Sequence, residues 1–253
     1  MNAIATIQAR LGSSRLPKKI MKKIAGKSLL EWQIDRLKKS NQISDIIIST
    51  TDQEIDDEIQ DFCTQKNIKY FRGPENDVLK RLTQTIQKYK IDLHVECFGD
   101  SPLPDYVLID EMISVFRSNS ELDFVSNSIH QTYPSGLEVN IFSGKTLIEL
   151  NNKLDPSDTL REHGGYNIRR FPDSYKIYSH KADAKLHFPE LSLEVDEQED
   201  FELLENIINF FVNQKIINFT TEDIIKYVKS NPSLLNINKN VHRRWKDLEN
   251  KSI

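Results

Sequence analysis

The sequence predicts an α/β fold built on a mainly parallel sheet. Strand-like apolar runs alternate with helical periodicities along the chain, and the connections between them are short, which is the signature of βαβ units. At 253 residues with 38% hydrophobic content, the chain is also long enough to bury a sizeable core.

The elements can be justified in order. "AIATIQ" (3–8) reads as a buried first strand. The stretch 28–40 follows as a helix, with Leu29, Leu30, Trp32, Ile34 and Leu37 marking one apolar face. "DIIIST" (45–50), "IKYF" (68–71) and "LHVECF" (93–98) are the next strands, and helical patterns at 52–66, 75–89 and 105–118 lie between and after them. "DFVSN" (123–127) and "LEVNIFS" (137–143) add strands, as do Ile177–Tyr178 and Leu191–Val195 beyond a less regular stretch. A helix from Glu197 to Phe211 comes next, then "TEDIIKYVKS", with Thr220 and Thr221 as candidate caps. No internal repeat or low-complexity linker interrupts this, so residues 1–230 read as one α/β domain. The tail 231–253 has few apolar residues and is expected to be loosely attached.

Composition narrows the function. A net charge of -4 argues against a dedicated nucleic-acid binder. No apolar run approaches the ~18 residues of a membrane span, and Arg10 interrupts any signal-like start. Two cysteines, Cys63 and Cys97, make neither a disulfide framework nor a zinc cluster and read as buried small hydrophobes, so the expected location is cytoplasmic.

The most informative segment is "IQARLGSSRLPKK" (7–19), the loop after the first strand. In an open parallel sheet, ligands bind beyond the carboxyl ends of the strands. Gly12 allows close backbone approach, Ser13 and Ser14 offer hydroxyl and amide donors, and Arg10, Arg15 and Lys19 supply cations suited to phosphate oxygens. The pattern is neither G-x-x-x-x-G-K-[ST] nor G-x-G-x-x-G. On composition alone, a solvated polar loop is an equal alternative.

The string "IQARLGSSRLPKK…GKSLLEW" resembles the opening of cytidylyltransferases related to 3-deoxy-manno-octulosonate cytidylyltransferase, nearest to the spore-coat polysaccharide F-type branch. The resemblance continues in order through "STTDQEIDDEI" (49–59), "FRGPENDVLKRL" (71–82), "GDSPLPD" (99–105), "YPSGLEVNIFS" (133–143), "REH" (161–163) and "VDEQEDFEL" (195–203). It implies a Rossmann-like, glycosyltransferase-A-type nucleotidyltransferase fold, CTP as the nucleotide, and Mg2+ bound by Asp100 and Asp196. It also implies a sugar-acid or related acceptor and a homodimer formed through roughly residues 130–190. By the same resemblance Arg15, Lys19 and Asp100 are catalytic. Ala9, Arg10, Leu11, Gly12, Ser13, Thr51, Asp52, Arg72 and Asp77 join Arg15 and Lys19 around the nucleotide, and Glu138, Arg161 and His163 meet the acceptor.

The residues taken alone leave alternatives at several of these positions. Asp196 could be a helix N-cap with Glu199 completing the box, Asp52 could cap the helix after it, and Asp105 and Asp200 read as capping or solvated residues. Four positions depart from the family pattern: Lys18 for glycine, Ser28 for proline, Glu96 for arginine, and Asn140 for an acidic residue. The competing functions are transfer to a phosphorylated acceptor, which gives a diphosphate-linked product, and nucleotide binding without turnover.

Overall fold

The computed structural model describes residues 1–243. Strand β1 (Ala3–Gln8) is buried on both faces, apart from half-buried Gln8, and is an interior strand of a seven-stranded sheet. A two-stranded ribbon, β2 (Lys23–Ile24) and β3 (Lys27–Ser28), leads into helix α1 (Leu29–Leu37), and all five apolar residues expected on its inner face are buried. Ser28, the departure from proline, caps this helix: its hydroxyl accepts Glu31 N–H while Glu31 accepts Ser28 N–H. The chain continues through β4 (Ile43–Thr51), α2 (Asp57–Gln65), β5 (Lys69–Gly73), α3 (Val78–Tyr89), β6 (Leu93–Phe98) and α4 (Tyr106–Ser118). It then forms β7 (Phe124–Ser126), β8 (Val139–Ser143), α5 (Gly144–Lys153), β9 (Ile177–Ser179), α6 (Gln198–Asn213) and α7 (Thr221–Ser230).

The strand order is β5-β4-β1-β6-β8-β7-β9. Strands β5, β4, β1 and β6 run parallel, β8 is antiparallel to both its neighbours, and β9 is parallel to β7. The expected α/β class with a mainly parallel mixed sheet is what the structure has. One apolar cluster packs α1, α4 and α6 against one face of the sheet, and a second packs α3 and α5 against the other.

Two expectations are corrected, and one helix is added. Leu191–Val195 is not a strand of this sheet. It makes a single bridge, Ser135 to Ser192, and the Asn238 side chain takes the Ser192 carbonyl, so no neighbouring strand pairs there. Helix α5 was unforeseen, because "GKTLIELNNK" opens on glycine directly after a strand; Ser143 caps it by accepting Thr146 N–H. The tail is fastened as far as Arg243. Asn238 and Arg243 are buried, and the Arg243 guanidinium binds the Asp200 carboxylate at 2.5 and 3.0 Å and Glu194 at 3.2 Å.

Candidate active site

The loop from Ala9 to Lys19 leaves the carboxyl end of β1 and is pinned from below. Asp56 accepts Leu11 N–H at 2.7 Å, and its other carboxylate oxygen takes the Thr51 hydroxyl. Leu11 is therefore a core residue, and the polar residues on either side of it face outward. Beside the loop, Gly99 follows the last residue of β6, and there the backbone closes on β1: an added Cβ would lie 2.4 Å from the Gln8 carbonyl. That close approach, sealed by Gly99 N–H donating to Gln8 O at 2.9 Å, sets Asp100 against the loop.

Lys18 has a φ of 53°, in the left-handed region that glycine adopts without strain. Its ammonium turns out to Glu58 at 2.5 Å, so Lys19 is the lysine that points into the site. Lys19 Nζ lies 3.0 Å from Asp196 Oδ1 and 3.5 Å from Asp100 Oδ2, and Arg15 binds Asp196 Oδ2 at 2.7 Å. The two carboxylates share one ammonium, so their nearest oxygens are no farther apart than the sum of two short contacts. Asp196 arrives without a sheet strand: Val195 N–H donates to Asp100 O at 2.8 Å and brings the two segments together. The cap of α6 is Glu197 with Asp200, which accepts the N–H groups of Asp196 and Glu197, and so leaves the Asp196 carboxylate to the site.

Burial alone would lower the Lys19 pKa, but Asp100 and Asp196 outweigh it and hold the ammonium above its ordinary value. Burial would likewise raise Asp196, yet Lys19 and then Arg15 hold its carboxyl below the usual range.

These groups line a cavity of about 300 Å3. Ala9, Arg10, Gly12, Ser13, Arg15, Lys19, Asp100 and Asp196 all border it. Other expected nucleotide residues do not. Arg72 is committed to the carbonyls of Thr51 and Gln53 and to the side chains of Asp57 and Gln60. Thr51 is buried against Asp56, and Asp52 is exposed, its carboxylate met by the neighbouring Gln53 amide at 3.2 Å. Asp77 caps α3 through Lys80 N–H and binds Arg161 Nε at 3.0 Å.

Arg15 is also not the free loop arginine that its surroundings in sequence suggest. It is 20% exposed and bridges to Glu197 at 3.2 Å and to the His242 carbonyl at 2.9 Å.

Arg81 was missed. It is 3% exposed, borders the cavity, and donates to the Pro74 and Glu75 carbonyls. Its Nε has no partner among the described residues, and burial pushes its guanidinium down to about 10. The available signal was an arginine at a core-facing position of α3, between Leu79 and Leu82.

A second cavity of about 530 Å3 adjoins the first and shares Gln8, Phe98, Asp100 and Glu162 with it. Glu138 and His163 border this space. Arg161 does not: it is buried behind, between Asp77 and Asn151. The two departures Glu96 and Asn140 are register partners on β6 and β8, joined by Asn140 Nδ2 donating to Glu96 Oε2 at 2.7 Å.

A cation-lined cavity at the carboxyl edge of a mainly parallel sheet, closed by two carboxylates from distant segments, defines a nucleotidyltransferase of the α/β class. The chain belongs to the cytidylyltransferase family, whose profile matches residues 4–224. It is 32% identical to an uncharacterised protein of Methanocaldococcus jannaschii over 96% of this chain and 97% of that one. It is 29% identical to the spore coat polysaccharide biosynthesis protein SpsF of Bacillus subtilis, over 78% and 82% of the two chains. Among solved structures, a cytidylyltransferase from Leptospira borgpetersenii superposes with a TM-score of 0.87 at 28% identity, covering 96% of this chain and all of the other. A CMP:2-keto-3-deoxy-manno-octonic acid synthetase complexed with CTP shares the fold, with a TM-score of 0.63 at 17% identity over 83% and 99% of the two chains.

Proposed function

We propose that this enzyme transfers CMP from CTP to a hydroxyl of a small polar acceptor, a sugar acid or a related compound, in surface-polysaccharide synthesis. The observation that carries the reading is the junction of Lys19 with Asp100 and Asp196 inside a cavity bordered by Arg10, Ser13 and Arg15. The acceptor oxygen forms a bond to the α-phosphorus, the bond from that phosphorus to the β-phosphate bridge breaks, pyrophosphate leaves, and the hydroxyl proton passes to water. Catalysis of such a displacement rests on position and on opposing the triphosphate charge. Arg10, Arg15 and Lys19 supply fixed cations, and the Ser13 hydroxyl is a further donor. The shared boundary of the two cavities at Gln8, Phe98 and Asp100 lets an acceptor in the larger space face a nucleotide in the smaller one.

The donor set suits Mg2+: Asp100 and Asp196 present hard oxygens from two sides, and magnesium characteristically takes one or two carboxylates and completes its shell with phosphate and water. When bound, the ion supplies counter-charge to the phosphates. The SpsF relative's name supports the polysaccharide assignment. Homodimerisation through residues 130–190 is also proposed. This region carries β9, an edge strand bonded only to β7 among the described residues, with Tyr178 exposed on it. Light scattering at micromolar concentration tests this, and a monomeric mass would reject it.

Pyrophosphate release from CTP, ATP, GTP and UTP, each with Mg2+ and pooled acceptors, tests the reaction. CTP-dependent release with a CMP-linked product is expected. A CDP-linked product would instead show a phosphorylated acceptor, and binding of CTP without release would show a non-catalytic protein.

A further inference from the structure

The larger cavity is built to receive hydrogen-bond donors. Glu138 and Asn140 stand two residues apart where the chain enters β8, so strand alternation puts both on one face, and both border the cavity. Glu138 Oε2 accepts Gly136 N–H at 2.7 Å, and no ion pair among the described residues includes its carboxylate. Asn140 is 4% exposed, and its Oδ1 has no partner among the described residues.

The orientation of that amide is fixed by chemistry. Its Nδ2 donates to Glu96 Oε2, and the other Glu96 oxygen is held by Gln8 Nε2 at 2.7 Å and Gly165 N–H at 3.0 Å. Burial raises the Glu96 carboxyl against the pull of its three donors, Asn140, Gly165 and Gln8; as a carboxylate receiving all three it only accepts, which turns the amide nitrogen to Glu96 and leaves the oxygen over. The paired departures at positions 96 and 140 thus leave an unpaired acceptor on the cavity side.

Charge points the same way. Asp100, Glu138, Glu162 and Glu194 border the space together with Arg169, which stacks on Tyr166 at 5.2 Å; Asp100 also meets Lys19 at 3.5 Å and Glu194 meets Arg243 at 3.2 Å, while burial and then the neighbouring Glu194 push the Glu138 carboxyl up to about 8. His163 also borders it, and burial holds its imidazole below the ordinary value against the opposing pull of Glu162. A carboxylate entering here would meet acidic oxygens and push Glu138 up further, whereas an ammonium meets acceptors and favours the ionised form of Glu138.

We infer that the acceptor carries a protonated amino group beside the hydroxyl that takes CMP, and that Glu138 and Asn140 Oδ1 bind this ammonium. This rests on the CMP-transfer reading and narrows its acceptor class. The amine takes no part in the bond changes: the hydroxyl oxygen attacks the α-phosphorus, pyrophosphate departs, and the hydroxyl proton goes to water.

The test uses the full chain with CTP and Mg2+ and three matched pools: hexosamines and other amino sugars, their N-acetyl derivatives, and hexuronates with other sugar acids. Pyrophosphate release and product mass are read together. Release is expected from the amino pool, at least ~10-fold faster than from the N-acetyl pool, since a hydrogen bond to a charged group is typically worth that much or more. With the acceptor so found, Glu138→Gln should raise KM by ~10-fold or more while calorimetric CTP affinity stays within about twofold. Release confined to the N-acetyl or acidic pool, or absent from all three in a protein that binds CTP, overturns the amine inference and leaves CTP recognition standing. Failure to bind CTP overturns the CMP-transfer reading itself, and the inference with it.

Discussion

Asp196→Asn separates the proposed catalytic role from a structural one. The asparagine keeps the size of the side chain and an accepting oxygen, and it removes the charge opposite Arg15 at 2.7 Å and Lys19 at 3.0 Å. Both cations retain other partners: Arg15 keeps Glu197 and the His242 carbonyl, and Lys19 keeps Asp100. Each charge-assisted contact is worth ~1.5–3 kcal/mol when lost outright, and here each is only weakened, so a net loss of about 1–2 kcal/mol is expected. For a chain of this size that is ~2–8 °C in melting temperature.

The pH dependence follows from the lowered Asp196 pKa. Its stabilisation is present above the unfolded value, near 3.8, and is lost as pH falls through the lower folded value. The melting gap between wild type and variant should therefore hold at pH 7 and close in strong acid. Turnover, read as pyrophosphate release, should fall at least ~100-fold, the scale for an electrostatic catalytic group. Asp100→Asn should do the same, and the double variant should be scarcely worse than either, because groups serving one charge act as a unit. Normal turnover in Asp196→Asn would refute the reasoning and reduce Asp196 to a clamp on Arg15.

Arg15→Ala should weaken CTP binding by ~1.5–3 kcal/mol in calorimetry. It should also lower the melting temperature by several degrees, because Arg15 ties the loop to Asp196, Glu197 and the tail; unchanged affinity would remove it from the phosphate site. Lys18→Gly should leave stability equal or raise it by up to ~1 kcal/mol, since the left-handed conformation costs lysine about that much and the exposed contact to Glu58 contributes little. A clear drop in melting temperature would contradict that account. Arg81→Lys should fold and lose CTP affinity in the same calorimetric assay, because a point ammonium cannot both hold the Pro74 carbonyl and present a planar donor to the cavity.

What the sequence made legible was local. The α1 face, the Asp105 cap and the Thr220 cap follow from spacing within one or two turns, and the structure has each of them. The loop 7–19 was identifiable because so polar a segment directly after a core strand has no packing reason to exist. The pairing of distant segments was not legible. Glu96 and Asn140 read as two unrelated substitutions until the β6–β8 register made them one hydrogen bond. Arg72 and Arg161 look as available as Arg15 in sequence, and only tertiary contacts show that carbonyls and carboxylates already occupy them. Asp56 gave no sign that it would hold Leu11, because that bond joins two loops 45 positions apart.

The most direct test of the central claim follows the phosphorus. The full chain is incubated with an amino-sugar and sugar-acid mixture, Mg2+, and CTP labelled at either the α- or the γ-phosphate. CMP transfer predicts that the α-label appears in a new acceptor-linked product while the γ-label appears in pyrophosphate, in equal amounts, and that both are lost in Lys19→Met. An α-label that stays in CTP, or that appears only as free CMP with no conjugate, would contradict it.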